Sequence, residues 1–147
     1  MGFTRYWEFK SLDSEKFKDF SKLCGLLIDT MDIPVEDVTI NDTQVRFNGV
    51  DEDGHETFNF SLNKPDFNFC KTNLKPYDEL VCGCLYIASL LFGSDVKINH
   101  DSEPDEDEHI IQRVKSLLRE NKLDKILNWF DNWDFIHIFV KINSRRW

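Results

Sequence analysis

The sequence predicts a single α+β domain over residues 1–147, a two-layer sandwich in which a mainly antiparallel β-meander is packed by helices. Three observations carry this expectation. Between residues 38 and 62, apolar side chains alternate with polar ones in three short runs, the pattern of half-buried strands. Two longer stretches, 13–31 and 76–92, repeat apolar residues at helical spacing instead. The 147 residues show neither internal repeats nor a linker, and a chain of that length buries about two-thirds of its unfolded surface as one domain.

The elements follow in order. Arg5 to Lys10 reads as a first strand with Trp7 and Phe9 on one face. Asp13 is placed to cap a helix whose stripe is Phe17, Phe20, Leu23, Leu27, Ile28 and Met31, ended by Ile33-Pro34. The meander then runs through Val38 and Ile40, Val45 and Phe47, and Phe58, Phe60 and Leu62. Asn41-Asp42 turns its first hairpin, and the charged tip Asp51-Glu52-Asp53-Gly54-His55 lies in its second connection.

The stretch FNFCKTNLKPYDELVCGC, residues 67–84, is a strand-to-helix corner. Phe67 and Phe69 read as its inward residues. Pro76 suits the first turn of a helix, where its missing N–H costs nothing, and Asp78 and Glu79 favour the positive end of the helix dipole. Tyr77, Leu80, Val81, Cys84, Leu85, Ala88 and Leu91 continue inward to Gly93, a C-cap. Val96-Lys97-Ile98 reads as a short strand. Residues 101–108 hold six acids around Pro104 and feed a helix carrying Ile110, Ile111, Val114, Leu117 and Leu118. A second helical piece at 123–130 and a last strand, with Ile136, Ile138, Val140 and Ile142 on one face, complete the pattern.

Composition narrows the function classes. Eighteen basic against 27 acidic residues give a formal charge of −9, which repels duplex nucleic acid and anionic membranes. Its natural complement is a basic protein. The N-terminus lacks the apolar core of a secretory signal, and Tyr6 occupies the position at which myristoylation after Gly2 needs Ser or Thr. No run is long enough for a membrane span. Cys24, Cys70, Cys82 and Cys84 read as free thiols of a reducing cytoplasm.

No cofactor or metal is expected. Cys82 and Cys84 diverge by about 200° if helical, no second ligand pair stands at zinc spacing, and the 101–108 acids lack the glycine of an EF-hand loop. Cys70, just ahead of a helix N-terminus and followed by Lys71, is the one candidate nucleophile, with His100 as its base. No glycine-rich phosphate loop is present, but Lys71, Thr72 and the free N–H groups of the helix after Pro76 have the chemistry to hold a small anion, with Arg46 and Asn48 on the polar meander face. Tyr77 and Asp78 read equally well as structural parts of the corner.

Phe69-Cys70-Lys71-Thr72 followed by Pro76-Tyr77-Asp78, preceded by Tyr6-Trp7, Asn48-Gly49 and Glu56-Thr57-Phe58, resembles a family of small microbial single-domain proteins without an assigned activity. The resemblance spans residues 6 to 101 and implies an order of elements rather than a function. Three functions remain in view. The leading one is a non-catalytic cytoplasmic binding protein, of the inhibitor or immunity type, meeting a basic partner with Asp51, Glu52, Asp53, Asp105, Glu106, Asp107 and Glu108. The second is a binder of a small anionic ligand such as a nucleotide signal, using Arg46, Asn48, Lys71, Thr72, Tyr77 and Asp78. The third is a Cys70-dependent enzyme. The Arg145-Arg146-Trp147 end either docks a neighbour or is simply the tail.

Overall fold

In the computed structural model, which describes residues 2–101 and 107–120, the order is β1 (Thr4–Phe9), α1 (Ser14–Thr30), β2 (Val35–Asn41), β3 (Gln44–Gly49), β4 (Phe58–Ser61), β5 (Asp66–Lys71), α2 (Asp78–Phe92), β6 (Val96–His100) and α3 (Asp107–Glu120). It is an α+β fold in which antiparallel sheet packs on helices. The expected terminal strand, the 123–130 helix, Asp105, Glu106 and the Arg145-Arg146-Trp147 end lie outside the described residues.

The strands form two sheets rather than the one expected. The meander makes β2-β3-β4, and β1 sits between β5 and β6 in a second sheet, antiparallel to both. The N-terminal strand does this because its inward residues, Trp7 and Phe9, meet the meander's Phe58 and Phe60. Rings from both sheets and from α1 thereby join one core, with Phe60 against Trp7, Phe9, Phe17, Phe20 and Phe58.

The helices form where capping and periodicity place them. Asp13 accepts from the backbone N–H of Glu15 and Lys16 at 2.8 and 3.0 Å, satisfying two free donors of α1. Pro76 and Tyr77 form a turn immediately before α2, so the helix begins at Asp78 rather than at Pro76 as expected. Gly93 ends α2 at a φ of 56°, where a side chain is strained. Gly83 marks the helix crossing: a Cβ there would stand 2.5 Å from Leu27 of α1 and 3.5 Å from Ile110 and Val114 of α3.

Two side-chain directions differ from the sequence reading. Phe67 and Phe69 point outward, because β5 registers Cys70 with Arg5 and Asn68 with Trp7, leaving the phenylalanines beside Glu8 and Tyr6 on the other face. Val38 is also exposed, since the β2–β3 register shifts between Glu36 and Thr39 and Asp37 takes a φ of 57°. No helix among the described residues is long and apolar enough to cross a membrane.

Candidate functional site

Strand alternation places Arg5 on the same face as Trp7 and Phe9, so its guanidinium is carried into the interior and is 3% exposed. A buried cation needs partners. Asp78, the first residue of α2, receives it in a fork: Nε to Oδ1 at 2.8 Å and Nη2 to Oδ2 at 2.9 Å. Asp107, the first residue of α3, takes Nη2 at 2.9 Å, and His100 Nε2 stands 3.6 Å from it. Thr72 donates its hydroxyl to Asp78 Oδ1 at 2.6 Å. One arginine thus ties the start of β1 to the starts of two helices.

The corner is fastened on its other side by Glu56. Its carbonyl accepts from the Tyr77 hydroxyl and from the Cys70 thiol, and its carboxylate accepts from Lys71 N at 2.8 Å. Thr72, Tyr77 and Asp78 are therefore buried and engaged with the protein itself, while Lys71 is exposed. Of the residues expected to bind an anion, Arg46 and Asn48 are likewise engaged within the protein. Arg46 lies on β3 and donates to the Asp37 carbonyl, and Asn48 closes the loop after Gly49 by bonding both backbone groups of His55. A cleft of about 340 Å³ does open over Arg5, Asp78 and Asp107, walled by Leu74, Lys75 and Glu79.

Cys70 is fully buried, and burial pushes its thiol up to about 12. His100 does not reach it, because Arg5 of β1 stands in register between the two, one strand from each. Cys24 and Cys82 are raised by burial as well, and all four thiols are free and buried. A thiol-specific disulfide reagent at pH 8 is thus expected to label none of them within minutes in native protein and all four in urea. The sign with pH follows: Cys70's folded value lies above the unfolded value of about 8.5, so its contribution to stability is complete below that pH and is lost as pH rises towards 12, at up to about 1.4 kcal/mol per unit. Urea midpoints at pH 8 and 10.5 measure this loss, and Cys70→Ala reduces it.

The acids divide into two sets. Asp107, read from the sequence as facing a partner, is instead spent on Arg5, and Glu108 accepts from Gln112 on the surface of α3. Asp51, Glu52 and Asp53 form an exposed 3₁₀ turn directly after β3. Because Val35 pairs with Gly49 and Glu36 with Asn48, the exposed Glu36 and Asp37 enter at the same end of the meander. None of these five acids has a salt bridge among the described residues. The turn is held in place by Asn48 and, through His55, by Asn73 of the corner.

Sequence reasoning missed Arg5 and Glu56. Arg5 had a signal, since residues 5, 7 and 9 share one face of a strand. Glu56 had none, because it acts mainly through its backbone. No protein-family model, curated protein or solved structure matches the chain.

Proposed function

We propose that the protein is a non-catalytic binding protein, of the inhibitor or immunity type, that meets a basic protein partner with the acidic end of its meander. The observation that carries this reading is the exposed set Glu36, Asp37, Asp51, Glu52 and Asp53, brought to one end of the sheet by the β2–β3 register, with no carboxylate of the five in a salt bridge among the described residues. Two of these acids, Asp37 and Asp51, adopt left-handed backbone conformations with φ of 57° and 52°. Aspartate tolerates that region, so neither position needs glycine. Gly49 and Gly54 let the backbone close around the turn: a Cβ on Gly49 would stand 2.2 Å from the Asp53 carbonyl oxygen, and one on Gly54 2.5 Å from that of Gly49. The formal charge of −9 supports the same partner chemistry, and the buried free thiols suit the cytoplasm.

The test is affinity capture from the source cells, read by native mass spectrometry at about 50 mM and about 500 mM salt, where the Debye length falls severalfold. A basic protein retained at low salt and lost at high salt is the expected result. Neutralising Glu36→Gln, Asp51→Asn, Glu52→Gln and Asp53→Asn together abolishes its retention. A partner held equally by the neutralised variant would move the interface elsewhere, and a small retained mass lost in Lys71→Ala would transfer the function to the corner.

A further inference from the structure

The outer face of the β5-β1-β6 sheet presents rings and charges in a fixed grid. Antiparallel register sets Phe69, Tyr6 and Asn99 side by side across the three strands, and Phe67, Glu8 and Lys97 in the next row. Asp101 follows β6 opposite Thr4, its backbone N–H donating to the Thr4 carbonyl at 3.0 Å. Tyr6 stacks on Phe67 with ring centroids 5.6 Å apart, and Phe67 meets Phe69 at 6.2 Å. Phe67 and Phe69 nevertheless remain 59% and 54% exposed. Beside these rings runs a groove of about 370 Å³, lined by Tyr6, Glu8, Phe67, Lys97, Asn99 and Asp101. An exposed apolar patch with a polar rim marks an interaction site.

The charges say what the groove accepts. Glu8 and Asp101 outnumber Lys97 along it, and neither acid has a salt bridge among the described residues, although Lys97 stands opposite Glu8. The Tyr6 hydroxyl donates to the Asp101 carboxylate and holds it at one end. Phosphate groups are repelled here, as by the formal charge of −9, and a second copy brings that same charge. Guanidinium and ammonium groups instead gain from the rings and from the acids together. Spacing adds a constraint. Glu8 and Asp101, which faces Thr4, lie four strand positions apart, about 13 Å, with Tyr6 between them. In an extended chain, residues i and i+4 share one face and span that distance, and residue i+2 falls over the rings. We propose that this face binds an extended basic segment of another protein, in which two cationic side chains four residues apart flank an apolar one. The acids at the end of the meander take no part, so the proposal stands whether or not they form an interface.

The probe is the blocked pentapeptide acetyl-Arg-Ser-Leu-Ser-Arg-amide, titrated into the full chain and followed by amide NMR shifts. Its isomer acetyl-Ser-Arg-Arg-Leu-Ser-amide carries the same charge at the wrong spacing. The first peptide is expected to saturate with a Kd of about 1 mM, with shifts centred on residues 6–8, 67–69 and 97–101. It should bind about threefold more tightly than the isomer, the effect of one misplaced surface ion pair. Glu8→Gln with Asp101→Asn should weaken it by about fivefold or more, as should Phe67→Ser with Phe69→Ser. The chain neutralised at Glu36, Asp51, Glu52 and Asp53 should bind it as the parent does. Equal affinity for the isomer overturns the proposal, leaving only attraction to an acidic chain. Shifts centred elsewhere, or undiminished binding by the Glu8/Asp101 variant, overturn it as well. Shifts at 67–69 that grow with protein concentration in the absence of peptide overturn it in favour of a second copy. Should the Phe67/Phe69 variant fail to fold, the Glu8/Asp101 variant, which changes no side-chain shape, decides.

Discussion

Replacing Asp78 by alanine is expected to cost about 3 kcal/mol of folding stability, which for a chain of this length lowers the melting temperature by about 6–12 °C. The cost arises from what is left behind. Arg5 stays inside the protein and loses both bonds of its fork, Nε–Oδ1 at 2.8 Å and Nη2–Oδ2 at 2.9 Å. Asp107 then remains its only carboxylate among the described residues, and the Thr72 hydroxyl loses its acceptor. Removing one member of a buried ion pair is more harmful than the pair's net worth, because the survivor keeps its desolvation cost without its attraction. Substituting Arg5→Met should be comparably damaging, since it leaves two carboxylates facing each other. The double variant should fall short of the sum of the singles by about 1–3 kcal/mol, the coupling of groups in one network. Lys71→Ala, one strand-end away but exposed, should change stability by no more than about 0.5 kcal/mol. Urea midpoints on the four proteins decide between a corner that holds the fold together and one reserved for a ligand. If Asp78→Ala unfolds at the parent midpoint, the network is not structural and the cleft above it becomes the site to probe.

That contrast also shows how far the sequence could be read. Periodicity located both long helices, all three meander strands and the cap Asp13, because each is decided by residues close in the chain. The corner's residue types were legible, but their direction was not. Asp78 has the same chemistry whether it faces a ligand or an arginine 73 positions earlier, as Thr72 and Tyr77 do whether they face a ligand or the protein's own Asp78 and Glu56. For Asp78 only the placement of β1 between β5 and β6 settles it. The same placement turned Phe67 and Phe69 outward. In FNFC neither alternation is clean, so the face depends on whether Cys70 or Phe69 is registered with Arg5. The division into two sheets was hidden for a related reason: strands announce their own faces, whereas their neighbours are chosen by long-range packing. Among the acids, net charge pointed to a partner without separating Asp107, which neutralises a buried cation, from Asp51, Glu52 and Asp53, which remain in water.

The second large effect is expected at Phe60, whose replacement by alanine should destabilise the protein by about 3–5 kcal/mol. Its ring is fully buried and lies within 4.8 Å of Phe20, 5.6 Å of Trp7, 5.7 Å of Phe9 and 5.9 Å of Phe17, centroid to centroid. These contacts come from β1 and α1, so the ring joins the meander to the second sheet and to the first helix. Truncation removes the transfer free energy of a phenyl group and leaves a cavity that four aromatic neighbours, already packed against one another, cannot easily collapse to fill. Trp7 stacks on Phe60 with the planes 10° apart, which makes indole fluorescence and near-ultraviolet circular dichroism sensitive reporters of the joint. The variant should therefore show a lowered urea midpoint together with a weakened aromatic signal at zero denaturant, while far-ultraviolet helix content is retained. Phe60→Leu, which refills most of the space, should recover part of the loss. Val38→Ala, on the exposed bulge of the same sheet, should leave the midpoint within about 0.5 kcal/mol of the parent. An unchanged midpoint for Phe60→Ala would mean that the two sheets are held together elsewhere, and the shared core described by these rings would have to be abandoned.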